Sequence, residues 1–484
     1  MKKEKYDFII IGAGIIGCMI SRYLSKYKLN ILLMDKESDI GTGASSRNSA
    51  IIHSGHDPIP GSLKSILNIR GNTLWENIAN DLSISFKRTG SYVIAISDEE
   101  HEVVKKLYER AILNGVPRIE VLKKDEILYR EPKVNPEVKS ALYTPTTGVI
   151  DPFEAVIASC ENAITNGVNL SLNTEFYEFI INGKKINGIS TNKGDIYCRY
   201  VVNCTGLYSD LVMHKVNIKP EFKVRPTRGE YFIFDSAKVT LNTVLYPTPT
   251  EKGKGTLVST TTHGNVMVGP NADVIDDKED SATTKEGLEK ITLNAKKLVP
   301  SLDIKDVIAQ FAGIRAKGNE GYKDFIIEIP SEIQGLINLG AIDSPGLASA
   351  PAIAEKVIDL LKANNEQLIE KKEWNPKRKS KPCFKKLSHL EKMELVKKNP
   401  NYGKVICRCE EVTEGEILEA IHSLIPAKTY DAIKRRTWMG TGRCQGAFDY
   451  HRVIEILSRE LNISEIEVTK KGRDSKFIFK KTKE

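Results

Sequence analysis

The run FIIIGAGIIGC at residues 8–18 constrains this chain more than any other stretch of it. An apolar strand-like run leads into Gly12, Gly14 and Gly17, spaced Gly-x-Gly-x-x-Gly. The chain continues as MISRYLSKY, a helix-compatible run, and then as LNILLMD, a second buried strand ending in Asp35. Strand, glycines, helix, strand and acid form one unit. The acid lies 18 positions after the last glycine, close to the roughly 20 expected of a ribose-binding carboxylate. Gly12 permits the tight turn out of the strand, Gly14 lets the backbone approach a pyrophosphate, and Gly17 allows close packing of helix on sheet. The helix N-terminus offers N–H groups and partial positive charge to phosphates. Asp35 can accept from a ribose diol and would repel a 2′-phosphate. The rival reading is a secretory or lipoprotein leader, with MKKEK as the charged start and IIGC as a lipid-attachment box at Cys18. The unbroken helix and strand beyond Cys18 favour the nucleotide and argue against a leader.

The glycine motif does not separate FAD from NAD, but two later segments favour FAD. Residues 40–57, IGTGASSRNSAIIHSGHD, form a Gly-, Ser- and Asn-rich loop. Its Ser45, Ser46, Asn48 and Ser49 can present hydroxyls and N–H groups to a second phosphate and a flavin ring. Residues 200–210, YVVNCTGLYSD, read as a buried strand that ends at Thr205 and Gly206, where the backbone can pass close to a bound dinucleotide.

A chain of 484 residues has room for two or three domains. No apolar run reaches the roughly 18–20 residues that span a bilayer, so membrane contact is at most peripheral and a cytoplasmic location is expected. The net charge of +8 comes from 71 basic and 63 acidic residues, too mild a bias to predict nucleic-acid binding. A local basic excess at residues 371–386 reads as a solvated linker, or else as a docking patch for an acidic partner. Of eight cysteines, Cys18, Cys160, Cys198 and Cys204 sit in apolar surroundings and read as core residues. The other four fall in the last quarter, three of them in tight motifs, which suggests metal chemistry in a reducing compartment.

The segments GAGIIG, SSRNSAIIHSG, VVNCTGLYSD, FAGIRAKG and INLGAIDSPGLASAPAIAEKV together resemble the FAD-dependent amino-acid and hydroxy-acid oxidoreductase superfamily. That superfamily includes D-amino-acid oxidase, glycerol-3-phosphate dehydrogenase and L-2-hydroxyglutarate dehydrogenase. The resemblance covers about the first 365 residues and implies an α/β and α+β fold. It implies a discontinuous Rossmann-like FAD-binding domain at about 1–80, 145–215 and 315–370, and an antiparallel-sheet substrate domain at about 81–144 and 216–314. A basic linker would follow at 371–403, and a small helical cysteine domain at 404–484. Residues 86–96, 223–234 and 264–268 show β-rich patterns, and residues 99–114 and 285–298 helical spacing, in agreement. The resemblance also places Gly346 and Leu347, after Ser344 and Pro345, near the flavin pyrimidine edge.

Oxidising an alcohol beside a flavin needs a base for the O–H proton and a cation for the substrate's anionic end. Histidine suits the first role and arginine the second. His53, in the loop expected to reach the flavin, is the leading base, ahead of His56 and His263. Arg315, in FAGIRAKG, is the leading anion clamp because its superfamily counterpart faces the substrate. Arg228 is second, with Lys317 and Tyr231 as neighbours.

In the last quarter, VICRCEEV and GRCQGAFDYH set Cys407, Cys409 and Cys444 at spacings similar to the bacterioferritin-associated-ferredoxin type of domain, which binds a 2Fe–2S cluster. That pattern expects a fourth cysteine where this chain has Asp449. Three readings stand: Asp449 is the fourth ligand, Cys383 substitutes, or the cluster is lost and the fold serves docking. A cluster would pass electrons from FAD to an acceptor protein. The whole layout resembles the large subunit of anaerobic glycerol-3-phosphate dehydrogenase. The expected activity is FAD-dependent oxidation of a small anionic secondary alcohol, glycerol 3-phosphate first, giving dihydroxyacetone phosphate. L-2-hydroxyglutarate oxidation, amino-acid or amine oxidation, and an electron-transfer subunit with little activity alone are the rivals.

Overall fold

The computed structural model describes residues 5–216, 222–249, 255–319, 321–480 and 482. Residues 1–4, most of the charged start that a leader would need, lie outside them. The fold is α/β and α+β. Strand Lys5–Ile11 runs parallel between Ile31–Met34 and Gly194–Asn203, and Leu336–Gly340 pairs parallel on the far side of the latter. The side chains of Phe8, Ile9, Ile10 and Ile11 are all buried, as near-continuous apolar strands of a sheet covered on both faces must be. Helix Ile15–Leu24 follows directly from the glycine turn and packs Cys18 at 0% exposure into the core. That placement leaves no room for an acyl chain on its sulfur.

Helices Leu63–Leu82 and Gly346–Ala363 cover the sheet and touch backbone to backbone, since a Cβ on Gly71 would lie 2.1 Å from the Ala348 carbonyl oxygen. Trp75, fully buried between them, donates its indole N–H to the Leu347 carbonyl at 3.0 Å. A buried Trp satisfies its polar atom in this way while contributing a large apolar area.

The second sheet is mainly antiparallel and nine-stranded among the described residues. Its long pair joins Val224–Phe234 to Val307–Gly318 over their whole lengths. The expected division at 314/315 therefore falls inside one continuous strand, and Arg315 belongs to this sheet. Where the strand crosses the glycine-rich loop, a Cβ on Gly313 would sit 1.8 Å from the Arg47 carbonyl oxygen. This crossing brings the sheet edge against the loop of residues 43–50.

The segment expected as a solvated linker is laid down on the first domain. Trp374 donates to Ser25 Oγ at 3.1 Å, with the cations of Arg22 and Lys26 over its ring. Arg378 and Lys381 bind the two oxygens of the buried Glu161 at 2.5 and 3.2 Å. Two cations of this basic run thus find their acid within the same chain. Beyond it, strands Val405–Cys407 and Val412–Thr413 and helices Glu414–Ile421, Tyr430–Thr437 and Tyr450–Leu461 enclose a separate core. No helix among the described residues is long and apolar enough to cross a membrane.

Candidate functional site

The three glycines answer to different contacts. Gly12 adopts φ +105, and a Cβ there would lie 2.5 Å from the Cys204 carbonyl oxygen. Gly17 is closed off by the Gly12 carbonyl oxygen at 2.0 Å, which is where helix crosses strand. Gly14 differs: beyond its chain neighbours, only Ser45 Oγ, at 3.0 Å, comes within 4 Å of its missing Cβ among the described residues. Its surface otherwise opens into a cleft of about 1830 Å³. Asp35 lines this cleft at the end of strand Ile31–Met34, and its carboxylate accepts from the N–H groups of Ala13 at 2.7 Å and Glu37 at 3.0 Å. Burial pushes the Asp35 carboxyl up, and those two N–H groups oppose the shift.

The loop after Gly43 wraps the same space. Ser45 Oγ accepts from Ile15 N–H at 2.9 Å, joining loop to helix N-terminus. Ser46 Oγ donates to the Gly43 carbonyl, and Asn48 bonds the carbonyls of Ala44 and Ser45 through Nδ2 and the N–H of Ala50 through Oδ1. Ser49 lies 3.5 Å from the Tyr231 hydroxyl. Thr205 is held by Asn203, whose amide also bonds Asn338. Gly206, at φ +56, has nothing within 4 Å of its missing Cβ, and Gly346 opens the helix whose next residue, Leu347, accepts from Trp75. The loop residues from Gly43 to Ala50, together with Thr205, Gly206, Gly346 and Leu347, line the cleft, as do Gly12 and Gly14 but not Gly17.

His53, Tyr231 and Arg315 line the same cleft. His53 Nδ1 is 2.9 Å from the hydroxyl of the fully buried Tyr246, and the His53 carbonyl accepts from Asn68 and Asn72. Burial pushes the Tyr246 hydroxyl far up, so it stays protonated. The Arg315 Nη2 donates to the Asn271 carbonyl at 2.5 Å, and its Nε is buried with no partner among the described residues. The guanidinium lies over Gly229, where a Cβ would come within 3.3 Å of it. Tyr231 stacks on Phe311 at 4.7 Å.

Arg228 does not join this group. It alternates to the opposite side of its strand from Thr227 and binds Asp280 at 2.9 Å. His56 is buried against Ser54 and the edge of Tyr246, and His263 bonds Asp151 beneath Trp438. Lys317 lines the cleft.

In the C-terminal domain the Cys407 and Cys409 sulfurs are 3.7 Å apart, and those of Cys409 and Cys444 are 3.5 Å apart. All eight cysteines are free thiols. Burial raises Cys407 and Cys409 as thiols, so metal binding would have to release their protons. Asp449, 1% exposed, accepts from Tyr430 at 2.9 Å through Oδ1, while its Oδ2 is buried without a partner. Cys383 is exposed, near Lys386, Glu416 and Glu154 rather than the other thiols. Among the described residues no three such side chains converge on one metal-ion position. The sulfurs lie in contact in the order Cys407, Cys409 and Cys444, and the Asp449 carboxylate acts on the Cys407 thiol; three thiols and a carboxylate are a donor set that a 2Fe–2S cluster could take.

Sequence reasoning missed the contact between the two domains. Arg435 and Arg436 hold the buried Asp39, with Arg436 Nη2 at 2.8 Å. Trp438 Nε1 donates to Asp151 Oδ2 at 2.7 Å. Residues 470–475 also line the cleft. Nothing local in the sequence marks these pairs, which join positions about 290 to 400 apart.

Residues 7–360 match the DAO family, FAD dependent oxidoreductase, and residues 405–455 match the BFD-like [2Fe-2S] binding domain. The chain belongs to the DAO family of FAD-dependent oxidoreductases, with a BFD-like domain at its C-terminal end. It is 46% identical to the glycerol 3-phosphate dehydrogenase of Caloramator mitchellensis over 99% of both chains. It is 28% identical to the mitochondrial L-2-hydroxyglutarate dehydrogenase of Dictyostelium discoideum, covering 76% of this chain and 94% of that one. Among solved structures, the FAD-bound L-alpha-glycerophosphate oxidase of Mycoplasma pneumoniae is similar at TM-score 0.74 and 32% identity. That match covers 78% of this chain and all of the oxidase.

Proposed function

We propose that this enzyme oxidises glycerol 3-phosphate at C2 to dihydroxyacetone phosphate, with the substrate held between His53 and Arg315. The observation that carries the reading is one continuous cleft. It runs from Gly14 and Asp35 to a guanidinium, that of Arg315, whose buried Nε lacks a partner. The match to a glycerol 3-phosphate dehydrogenase through the C-terminal domain favours this substrate over 2-hydroxyglutarate, whose Dictyostelium dehydrogenase matches 76% of the chain. FAD, when bound, supplies the two-electron acceptor for the hydride leaving C2.

The protein's own groups do the rest. Gly14, Ser45, Asp35, Thr205 and Gly206 hold the dinucleotide. Arg315 binds the phosphate with charge-assisted bonds and orients C2. The bond between His53 Nδ1 and the Tyr246 hydroxyl fixes the ring; in the tautomer with Nδ1 as donor, Nε2 is the atom that takes the hydroxyl proton. Cys407, Cys409, Cys444 and Asp449 would hold a 2Fe–2S cluster, a one-electron carrier suited to passing electrons to a separate acceptor protein. A reducing cytoplasm suits the eight free thiols.

The test is anaerobic bleaching of the bound flavin by glycerol 3-phosphate, L-2-hydroxyglutarate and amino acids in turn. Only the first should bleach it on the turnover timescale. Arg315→Ala should lower kcat/KM by roughly 10- to 100-fold, the worth of a charge-assisted contact, with FAD still bound. His53→Asn should lower kcat by about 10²- to 10⁴-fold, as loss of a general base does. Unchanged kinetics in either variant removes that residue from the site.

A further inference from the structure

The hairpin around residues 469–476 sits on the loop that carries the proposed ribose-binding acid. It is closed by a bridge between Thr469 and Lys476 and by Ser475, which accepts from Lys471 N–H at 2.9 Å. Gly472, at its tip, adopts φ +88, and a Cβ there would lie 2.3 Å from Ser38 Oγ. Ser38 donates to the Lys471 carbonyl at 3.2 Å, and Arg473 binds Glu37 at 3.0 Å. The root of the hairpin is tied to helix Tyr430–Thr437 through Asp431, which binds Lys470 at 2.7 Å. The far end of that helix carries Arg435 and Arg436 to Asp39. The C-terminal domain thus grips residues 37–39 at two points, directly after Asp35.

We propose that the C-terminal domain forms one wall of the dinucleotide site, with hairpin 469–476 capping the ADP half. The inference rests on the reading that FAD occupies the cleft. Asp35, Glu37, Lys471 and Arg473 all line the cleft, and the Arg473–Glu37 pair joins the two segments there. A ligand there meets an acid for its ribose and cations for its pyrophosphate. The glycerophosphate oxidase that holds FAD matches only 78% of this chain, yet all of its own length is covered. FAD binding in this fold therefore does not require the cap, whose effect is one of affinity. Linkage makes the effect mutual: whatever the docked domain adds to FAD affinity, FAD adds to docking of the domain.

The test uses the full chain freed of flavin and titrated with FAD, and with ADP as competitor. The double variant Lys471→Glu/Arg473→Glu alters two exposed side chains. It should weaken both ligands roughly tenfold, and Lys471→Glu alone, which leaves the Arg473–Glu37 pair intact, should weaken them without moving the melting transition of the ligand-free protein. If the unaltered chain binds neither FAD nor ADP, the reading of the cleft fails. If it binds both and the variant matches it, only the cap is overturned. Trypsin gives an independent readout on the unaltered chain, because Lys470, Lys471 and Arg473 are cleavage points. Saturating ADP should slow cutting there; equal rates with and without ADP would overturn the cap.

Discussion

At the amino end the binding surface is made of main chain. Gly12, Gly14 and Gly17 matter because their missing side chains let a carbonyl, a ligand and a helix come close. At the carboxyl end the surface is made of side chains: three thiols in a row and the carboxylate of Asp449. The first kind of site has no substitute residue, since any Cβ at Gly17 meets the Gly12 oxygen. The second can exchange one donor for another and keep its fold, because Asp449 is also anchored by Tyr430. A glycine signature therefore fixes the fold and a class of ligand, the dinucleotides, whereas a thiol signature with one member replaced fixes the fold and leaves the ligand set to be tested.

The largest expected effect sets these two kinds of site against each other. Gly17→Val forces a side chain into a 2.0 Å gap. Overpacking costs typically about 1–3 kcal/mol even where neighbours can yield, and here the obstacle is backbone. Flavin per chain should fall close to zero. Cys407→Ser should abolish bound iron and leave flavin per chain unchanged. A Gly17→Val protein with full flavin, or a Cys407→Ser protein without it, would break the contrast.

The seam between the two regions carries the next effect. Burial pushes the Asp39 carboxyl up, but Arg436 and Arg435 outweigh it and hold the group below its usual range. Glu161 behaves alike, with Arg378 and Lys381 overcoming burial. Removing one partner of such a buried pair costs about 3–5 kcal/mol, so Asp39→Asn should melt at a distinctly lower temperature. A depressed folded-state pKa gives stability that is complete above the unfolded value of about 4. It is lost as pH falls through the lower folded value. The gap between Asp39→Asn and the unaltered chain should be constant from about pH 5 to 8 and shrink below about pH 4. A gap that closes at neutral pH would sink this account of the seam.

What could be read from the residues follows the same division. The strand–glycine–helix–strand unit and Asp35 were legible because all the information lies within residues 5–35. The clustering of Ser45, Asn48, His53 and Arg315 in one cleft was approached through resemblance. Periodicity gave no reason to prefer Arg315 over Arg228; they differ because neighbouring positions on paired strands face opposite sides, one toward the cleft and one toward Asp280. The docked linker was illegible. A basic run looks solvated until Glu161, more than 200 residues earlier, is found buried beside it.

The smallest effect concerns Trp438, which links the cysteine loop to the first domain. Asp151 has no exposed side-chain surface. Its Oδ1 caps helix Pro152–Thr165 by accepting from Phe153 and Glu154, and its Oδ2 accepts from Trp438 at 2.7 Å. The Trp438 ring lies between Phe153, which lines the cleft, and His263. Two residues further on, the Gly440 N–H points at Cys407 sulfur at 3.5 Å. Trp438→Phe keeps the ring and deletes one charge-assisted donor, worth about 1.5–3 kcal/mol. Its melting shift should be smaller than that of Asp39→Asn, and flavin and iron contents should stay full. If the seam positions the cysteine loop as well as binding it, the rate at which substrate-derived electrons reach an external acceptor should fall in Trp438→Phe, while anaerobic flavin bleaching keeps its rate. Both rates unchanged would reduce Trp438 to one more packing contact.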